Sequence, residues 1–312
     1  MVVFLLATLL HLLRLDYSTT IFSSGLTVQY QLLEQLADTS FQPKFHITRL
    51  LGPIRQSFFV QPSSLITAPS GILIDDMSGQ YLWQREPEMV LPIASLTKLA
   101  TALVFLDTQP DFSQEVTMEA GDSADPEGSR LYVNAGETLT VGDLFYASLV
   151  GSANNATKAL VRSTGLSTEE FVARMNQKAE LLGLPHTVFY EVTGLDPQNT
   201  STVADYSRLA SYVFRNDLIR QALNTEVYNF TTINTKKPHR IKNTNQLLED
   251  GDLDLVGAKT GYLDEAGYTF VAQSESQGHQ LLVVLFKSSS SQQRFNEAKA
   301  LITWAERNWT WL

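Results

Sequence analysis

Among the 312 residues there is no cysteine. That one absence removes disulfides, thiolate-bound metals and a cysteine nucleophile together. Histidine is scarce, five residues in all, and no two of them stand at the spacing of paired metal ligands, so neither a metal nor a cofactor is expected. No run of five or more basic residues occurs and the net charge is −10. Nucleic acid is therefore not an expected partner, and the acidity reads as a solubility property. Nor is there an apolar run long enough to cross a bilayer, which takes about 20 residues. The longest at the N-terminus, residues 2–13, is broken by Thr8 and His11 and ended by Arg14 and Asp16. In length it fits the hydrophobic part of a signal peptide, although no basic residue precedes it and no small-x-small site follows. We read residues 1–20 as an export or membrane-anchor segment, with a buried or interfacial helix as the alternative. Membrane association, if any, is expected through residues 2–13.

What is present is a chain able to bury a core, 44% hydrophobic and 10% aromatic. Residues 21–65 carry no chemical motif and read as a spacer. Residues 27–37 form a possible short helix, and residues 52–64 look like irregular chain. From residue 66 the pattern sharpens. Alternating apolar residues on either side of Met77-Ser78-Gly79 predict a hairpin. The run from Ser95 to Asp107 is apolar on most faces, as in a central helix. Residues 137–165 read as two helices jointed at Gly151-Ser152, with Thr140 and Asp143 close to a capping-box pattern. A further helix over 167–183 has Ser167 or Thr168 as its cap and Gly183 as its stop, and another covers 202–216. The last third changes period to three strands and a closing helix. Strands at both ends with helices between predict an α+β fold, one antiparallel sheet drawn from both chain ends and flanked by a helical subdomain.

Three short stretches could carry chemistry. Ser95 and Lys98 are three residues apart, hence on one face of a helix. Alone, the pair reads more readily as a helix cap followed by a surface lysine. The apolar surroundings of Lys98 argue for burial, which would lower its pKa and let it serve as a neutral base. Ser152 and Asn154 lie at the helix joint, where the plain reading is a turn with a cap. Lys259-Thr260-Gly261 lies in a predicted strand. The lysine could simply protect a sheet edge, and the glycine could mark close approach by a ligand backbone. Asn155-Ala156-Thr157 is formally a glycosylation sequon, a weak signal.

Ser-x-x-Lys, Ser-x-Asn and Lys-Thr-Gly in this order form the motif set of penicillin-binding proteins and serine β-lactamases. With their flanks, residues 66–308 resemble the low-molecular-weight D-alanyl-D-alanine carboxypeptidases, the S11 serine peptidases. The resemblance implies the serine β-lactamase/penicillin-binding-protein fold, a catalytic domain over 66–312, and action in the cell envelope. It implies Ser95 as nucleophile, Lys98 as its base and Ser152 as a proton relay. Asn154, Lys259, Thr260, Gly261 and Tyr262 would bind substrate. Lys259 and Thr260 would hold its terminal carboxylate, and the N–H groups of Ser95 and Tyr262 would form the oxyanion hole. The implied partners are peptidoglycan stem peptides ending in D-Ala-D-Ala, with β-lactams as covalent inhibitors. One departure is visible: the family's usual Ser-Gly-Asn-Asp is here Ser152-Ala153-Asn154-Asn155. Alanine is tolerated unless the position needs positive φ.

The nearest rival is a DD-endopeptidase of the same family. A β-lactamase is disfavoured because no Glu-x-x-Leu-Asn pattern lies between Asn154 and Lys259. A non-catalytic penicillin sensor is disfavoured because the motif set is complete.

Overall fold

Two strands with unbroken apolar runs at their centres sit in the middle of the sheet. β1 (Ser70–Asp75) is buried along its whole length. In the computed structural model, which describes residues 52–56, 62–123, 127–276 and 278–311, β1 turns through Gly79, at φ 74°, into β2 (Gln80–Arg85). The central helical part follows: α1 (Thr97–Asp107), α2 (Val141–Val150), α3 (Asn154–Arg162), α4 (Thr168–Leu181), α5 (Val203–Val213) and α6 (Asp217–Leu223). Then come β3 (Asp254–Leu263), β4 (Gly267–Ser276), β5 (His279–Ser288) and the closing helix α7 (Ser291–Asn308). The five strands form one antiparallel sheet in the order β3-β4-β5-β1-β2. The expected α+β arrangement, with the sheet drawn from both ends, is what forms.

The unbroken apolar runs of β1 and β5 follow from coverage on both sheet faces. Side chains alternate faces along a strand. Ile72, Ile74, Leu282, Val284 and Phe286 join the core formed with the helices α1 to α6. Leu73, Leu281, Val283 and Leu285 join the one packed against α7 through Phe295, Leu301 and Ile302. Helix α1 is buried from Thr97 through Phe105, so its lack of a polar stripe marks a central helix. Two helix starts have reciprocal capping boxes, Thr140 with Asp143 and Ser167 with Glu170, each satisfying two otherwise orphaned N–H groups. Gly183, at φ 68°, follows the end of α4.

Three features differ from the sequence reading. Within residues 52–64, read as irregular chain, Ile54–Arg55 pairs with Trp309–Thr310 and Pro62–Leu65 forms a 3-10 turn. The chain between α6 and β3 holds an unforeseen hairpin, Val227–Thr231 with Pro238–Lys242. Its strands are half-exposed and gain their order from outside. Tyr228 stacks on Tyr146 of α2 at 4.4 Å between ring centres, and its hydroxyl donates to Asp143 at 2.8 Å. Helix α6 is the third. The sequon is sealed, since Asn155 is 3% exposed and Thr157 fully buried. The hydrophobic run 2–13 and the helix expected over 27–37 lie outside the described residues. Among the described residues no helix is long and apolar enough to cross a membrane.

Candidate active site

Ser95 lies in a one-turn 3-10 helix, Ala94–Leu96, directly before α1. The first residue of that turn, Ala94, has φ 50°, a left-handed conformation that alanine adopts only under constraint. Ser95 is not a helix cap, because Leu96 occupies the cap position of α1 and no side chain caps it. Lys98, in the first turn of α1, is fully buried; the reading of a surface lysine is excluded.

The surroundings of Lys98 fix its chemistry. Its Nζ donates to the Thr193 carbonyl at 2.6 Å and to Asn154 Oδ1 at 2.7 Å, and it lies 3.0 Å from Ser95 Oγ. Burial pushes its pKa from 10.5 down to about 7, partly offset by the negative Glu191. A neutral amine has two N–H donors and one lone pair. The carbonyl and the amide oxygen can only accept, so they take the two N–H groups and leave the lone pair for the Ser95 hydroxyl. This arrangement can withdraw a proton from Ser95 as that oxygen attacks an electrophile.

A second lysine closes the other side. Lys259, on the sheet-edge strand β3, is 1% exposed, so it does not act as an exposed edge protector. Its Nζ donates to Ser152 Oγ at 2.7 Å and to the Thr260 carbonyl at 3.0 Å. Its pKa is lowered well below the ordinary value, first by burial, then by the charges of Lys98 and Arg294. Burial is the largest cause at both lysines. Ser152 stands in the break between α2 and α3 with φ 56°. Two residues on, Asn154 opens α3. Ala153 between them has φ −71°, so this position does not require glycine. The Thr260 hydroxyl pairs with that of Thr244 at 2.7 Å.

Gly261 has a packing reason. A Cβ there would lie 3.1 Å from both Ala94 Cβ and the Ile93 carbonyl and would collide with Thr269 Oγ1. The missing side chain lets β3 press against the turn carrying Ser95. The close approach seen here is by Thr269, Ala94 and Ile93 of the chain itself. The Tyr262 side chain is half-exposed, stacks on Tyr268 at 4.5 Å and donates its hydroxyl to Asp264 at 2.7 Å. What it can offer the site is its backbone on the edge strand.

The structure brings Ser95 and Asn154 to Lys98 and Ser152 to Lys259, with Thr260 and Gly261 following Lys259 on β3, while the Tyr262 side chain lies against Tyr268 and Asp264. Sequence reasoning missed Thr193, Glu191, Asn199, Thr244 and Arg294. Arg294 on α7 donates to the Gly261 carbonyl at 2.9 Å and lies over the rings of Tyr268 and Phe295. Burial pushes its pKa down to about 10. Its signal was available, a charged residue on the apolar stripe of an amphipathic helix. Among the described residues no group of three or more acidic or histidine side chains could hold a metal.

Comparison with known proteins agrees with this geometry. A family model described as D-alanyl-D-alanine carboxypeptidase, the S11 peptidases, matches residues 57–290. The D-alanyl-D-alanine endopeptidase of Haemophilus influenzae is 33% identical over 242 residues, covering 76% of this chain and 81% of that protein. The D-alanyl-D-alanine carboxypeptidase DacC of Escherichia coli is 31% identical over 252 residues, 78% of this chain and 62% of that protein. The crystal structure of the Streptomyces K15 DD-transpeptidase matches with a TM-score of 0.73 and 26% identity, covering 78% of this chain and 98% of that one. With a family model spanning most of its length and a complete set of family motifs gathered at one site, this chain belongs to the D-alanyl-D-alanine carboxypeptidase family of serine peptidases.

Proposed function

We propose that the protein is a D-Ala-D-Ala carboxypeptidase that removes the terminal D-alanine from peptidoglycan stem peptides. The observation that carries this reading is the fully buried Lys98, whose two N–H groups are taken and whose lone pair faces Ser95. Ser95 Oγ attacks the carbonyl of the penultimate D-alanine, and Lys98 accepts its proton. Ser152, hydrogen-bonded to Lys259, relays that proton from Lys98 to the leaving D-alanine nitrogen as the C–N bond breaks, giving up its own proton and taking the one from Lys98. Water then hydrolyses the Ser95 ester and restores the hydroxyl. Asn154 holds the substrate amide. Lys259 and Thr260 receive the terminal carboxylate, whose charge returns to Lys259 the proton affinity that burial removed. The N–H groups of Ser95 and Tyr262 face the developing oxyanion; that of Ser95 gains from the adjacent start of α1. β-Lactams acylate the same serine. Residues 66–312 form the catalytic domain, and residues 1–20 direct it to the cell envelope or tether it at the membrane.

A second reading is a DD-endopeptidase that cuts cross-linked stem peptides. Its support is the endopeptidase of Haemophilus influenzae, at 33% identity and with 81% of its length covered. One experiment tests both. Incubation with labelled penicillin, followed by mass spectrometry, should place the label on Ser95 and lose it in Ser95→Ala; an unlabelled wild type sinks the mechanism. Digestion of monomeric pentapeptide and cross-linked muropeptides then divides the two activities, with D-alanine release from the monomer expected.

A further inference from the structure

The chemistry above depends on the direction of the Lys98 lone pair, and that depends on the Thr193 carbonyl. Thr193 lies in the irregular loop between α4 and α5, where no helix or strand holds its peptide. What holds it is Glu191. One carboxylate oxygen accepts from the Thr193 N–H and from Thr193 Oγ1, both at 2.6 Å. The other accepts from the Gly194 N–H and from Asn199 Nδ2, the latter at 3.0 Å. A carboxylate offers about four acceptor sites, and all are filled. The clamp is anchored to the catalytic helix, because Asn199 is fully buried and its Nδ2 also reaches Thr97 Oγ1 at 3.1 Å. Thr97 lies between Ser95 and Lys98. Gly194, held by the same carboxylate, packs against the Ala94–Ser95 peptide so tightly that a Cβ there would lie 2.8 Å from the Ser95 nitrogen.

We infer that Glu191 is a positioning residue for acylation, holding the Thr193 carbonyl on one N–H of Lys98 and Gly194 behind the Ser95 peptide. The inference rests on the reading of Lys98 as the base for Ser95. With both oxygens saturated, Glu191 is not free to activate water. It acts through two other groups: the donor geometry of Lys98 and the place of the Ser95 N–H. The charges around Lys98 are Glu191 from the loop and Lys259 from β3, with Arg294 behind Lys259. Glu191 is the negative one, and it favours the protonated form of Lys98.

Glu191→Gln is a discriminating substitution. It keeps the shape, but its NH2 group faces two donors that it cannot accept from. The rate of Ser95 acylation by labelled penicillin, measured from pH 5 to 9, should fall at least tenfold on its plateau, as expected for a misplaced base. The acidic limb should move to lower pH by about half a unit, because the charge that favours protonated Lys98 has gone. Thr193→Val removes one of the four donors while keeping the carboxylate and the carbonyl. It should lose about threefold, with its limb in place. An E191Q protein with the wild-type plateau overturns the inference. So does a lowered plateau with an unmoved limb, which is the mark of a loop that merely supports the fold. Should E191Q fail to fold, T193V decides, and a rate within 1.5-fold of wild type overturns the inference. If the wild type forms no Ser95 adduct, the functional reading itself fails; if it does and E191Q matches it, only the role of Glu191 fails.

Discussion

Gly194→Ala turns the tightest backbone contact of the site into a measurable loss. Gly194 has φ +88°, where a Cβ costs roughly 1–2 kcal/mol on conformation alone. The added carbon would also overlap the Ala94 carbonyl and stand 2.8 Å from the Ser95 nitrogen. Both neighbours are backbone, so no rotamer change relieves the clash. The loop and the turn must separate by about an ångström. A shift of that size costs on the order of 100-fold in rate, and displacing one oxyanion donor costs a similar 10²- to 10³-fold. Both act on the same N–H, so they do not multiply, and the expected loss in acylation rate is about 100-fold. Overpacking adds roughly 1–3 kcal/mol to the conformational term, which lowers the melting temperature by about 4–20 °C at 2–4 °C per kcal/mol. The assay is penicillin adduct formation well below the melting point, paired with a thermal melt. Gly183→Ala is the control: it has φ +68° and no atom within 4 Å of the added carbon. It should cost about 1 kcal/mol and leave acylation unchanged. A G194A enzyme within threefold of wild type at an unchanged melting temperature would refute the packing argument.

Two further outcomes follow from the same geometry. Lys98 must be neutral to accept the Ser95 proton, and its pKa of about 7 places the acidic limb of acylation there. The neutral fraction is about one half at pH 7 and about one hundredth at pH 5, so the rate should fall roughly 50-fold between them; a flat profile from pH 5 to 9 contradicts the assignment, and Lys98→Arg, always charged, should form no adduct. Asn155→Asp should lower stability by about 1–3 kcal/mol, read by denaturant unfolding. Asn155 Nδ2 donates to the Leu131 carbonyl at 2.8 Å while its Oδ1 accepts from the Leu131 N–H at 2.8 Å, and a carboxylate would set two acceptors face to face.

The parts of this site that could be read in the sequence are those whose side chains react or whose order depends on local rules. Thr140 with Asp143 and Ser167 with Glu170 cap their helices through contacts three residues apart, so the pattern is local and visible. The apolar runs of β1 and β5 are likewise visible within the strands themselves. Thr193 is the opposite case. Its contribution is a main-chain carbonyl, which every residue possesses, and only the fold brings it 2.6 Å from Lys98. Glu191 and Asn199 act on that loop across contacts that the chain order does not announce. The hairpin over 227–242 escaped for a related reason: its half-exposed strands draw their order from Tyr146 and Asp143 on α2. At Gly261 the residue type was legible but its cause was not, because the atoms that need the space belong to Thr269 on β4 and to the turn before Ser95, which only the fold brings there.

The charge balance of the site explains why so costly an arrangement suits this reaction. Lys98, Lys259 and Arg294 are each less than a tenth exposed, and each has a pKa below its ordinary value chiefly because burial disfavours its charge. Near Lys98, Glu191 is the negative partner, and its acceptor sites are filled by loop donors. The free site therefore holds lysines with depressed proton affinity, which is what the attack needs from Lys98 and what binding does not need from Lys259. A substrate that ends in a carboxylate divides the two roles. Placed beside Lys259 and Thr260, it raises the proton affinity of the lysine next to it by Coulombic attraction, which falls off with distance. Lys98 has its N–H groups taken by Thr193 and Asn154, and in the proposed reaction it stays the base. In the proposed reaction the substrate thus supplies the negative charge that the fold withholds, and one buried pocket can hold an ammonium clamp and a neutral amine at the same pH.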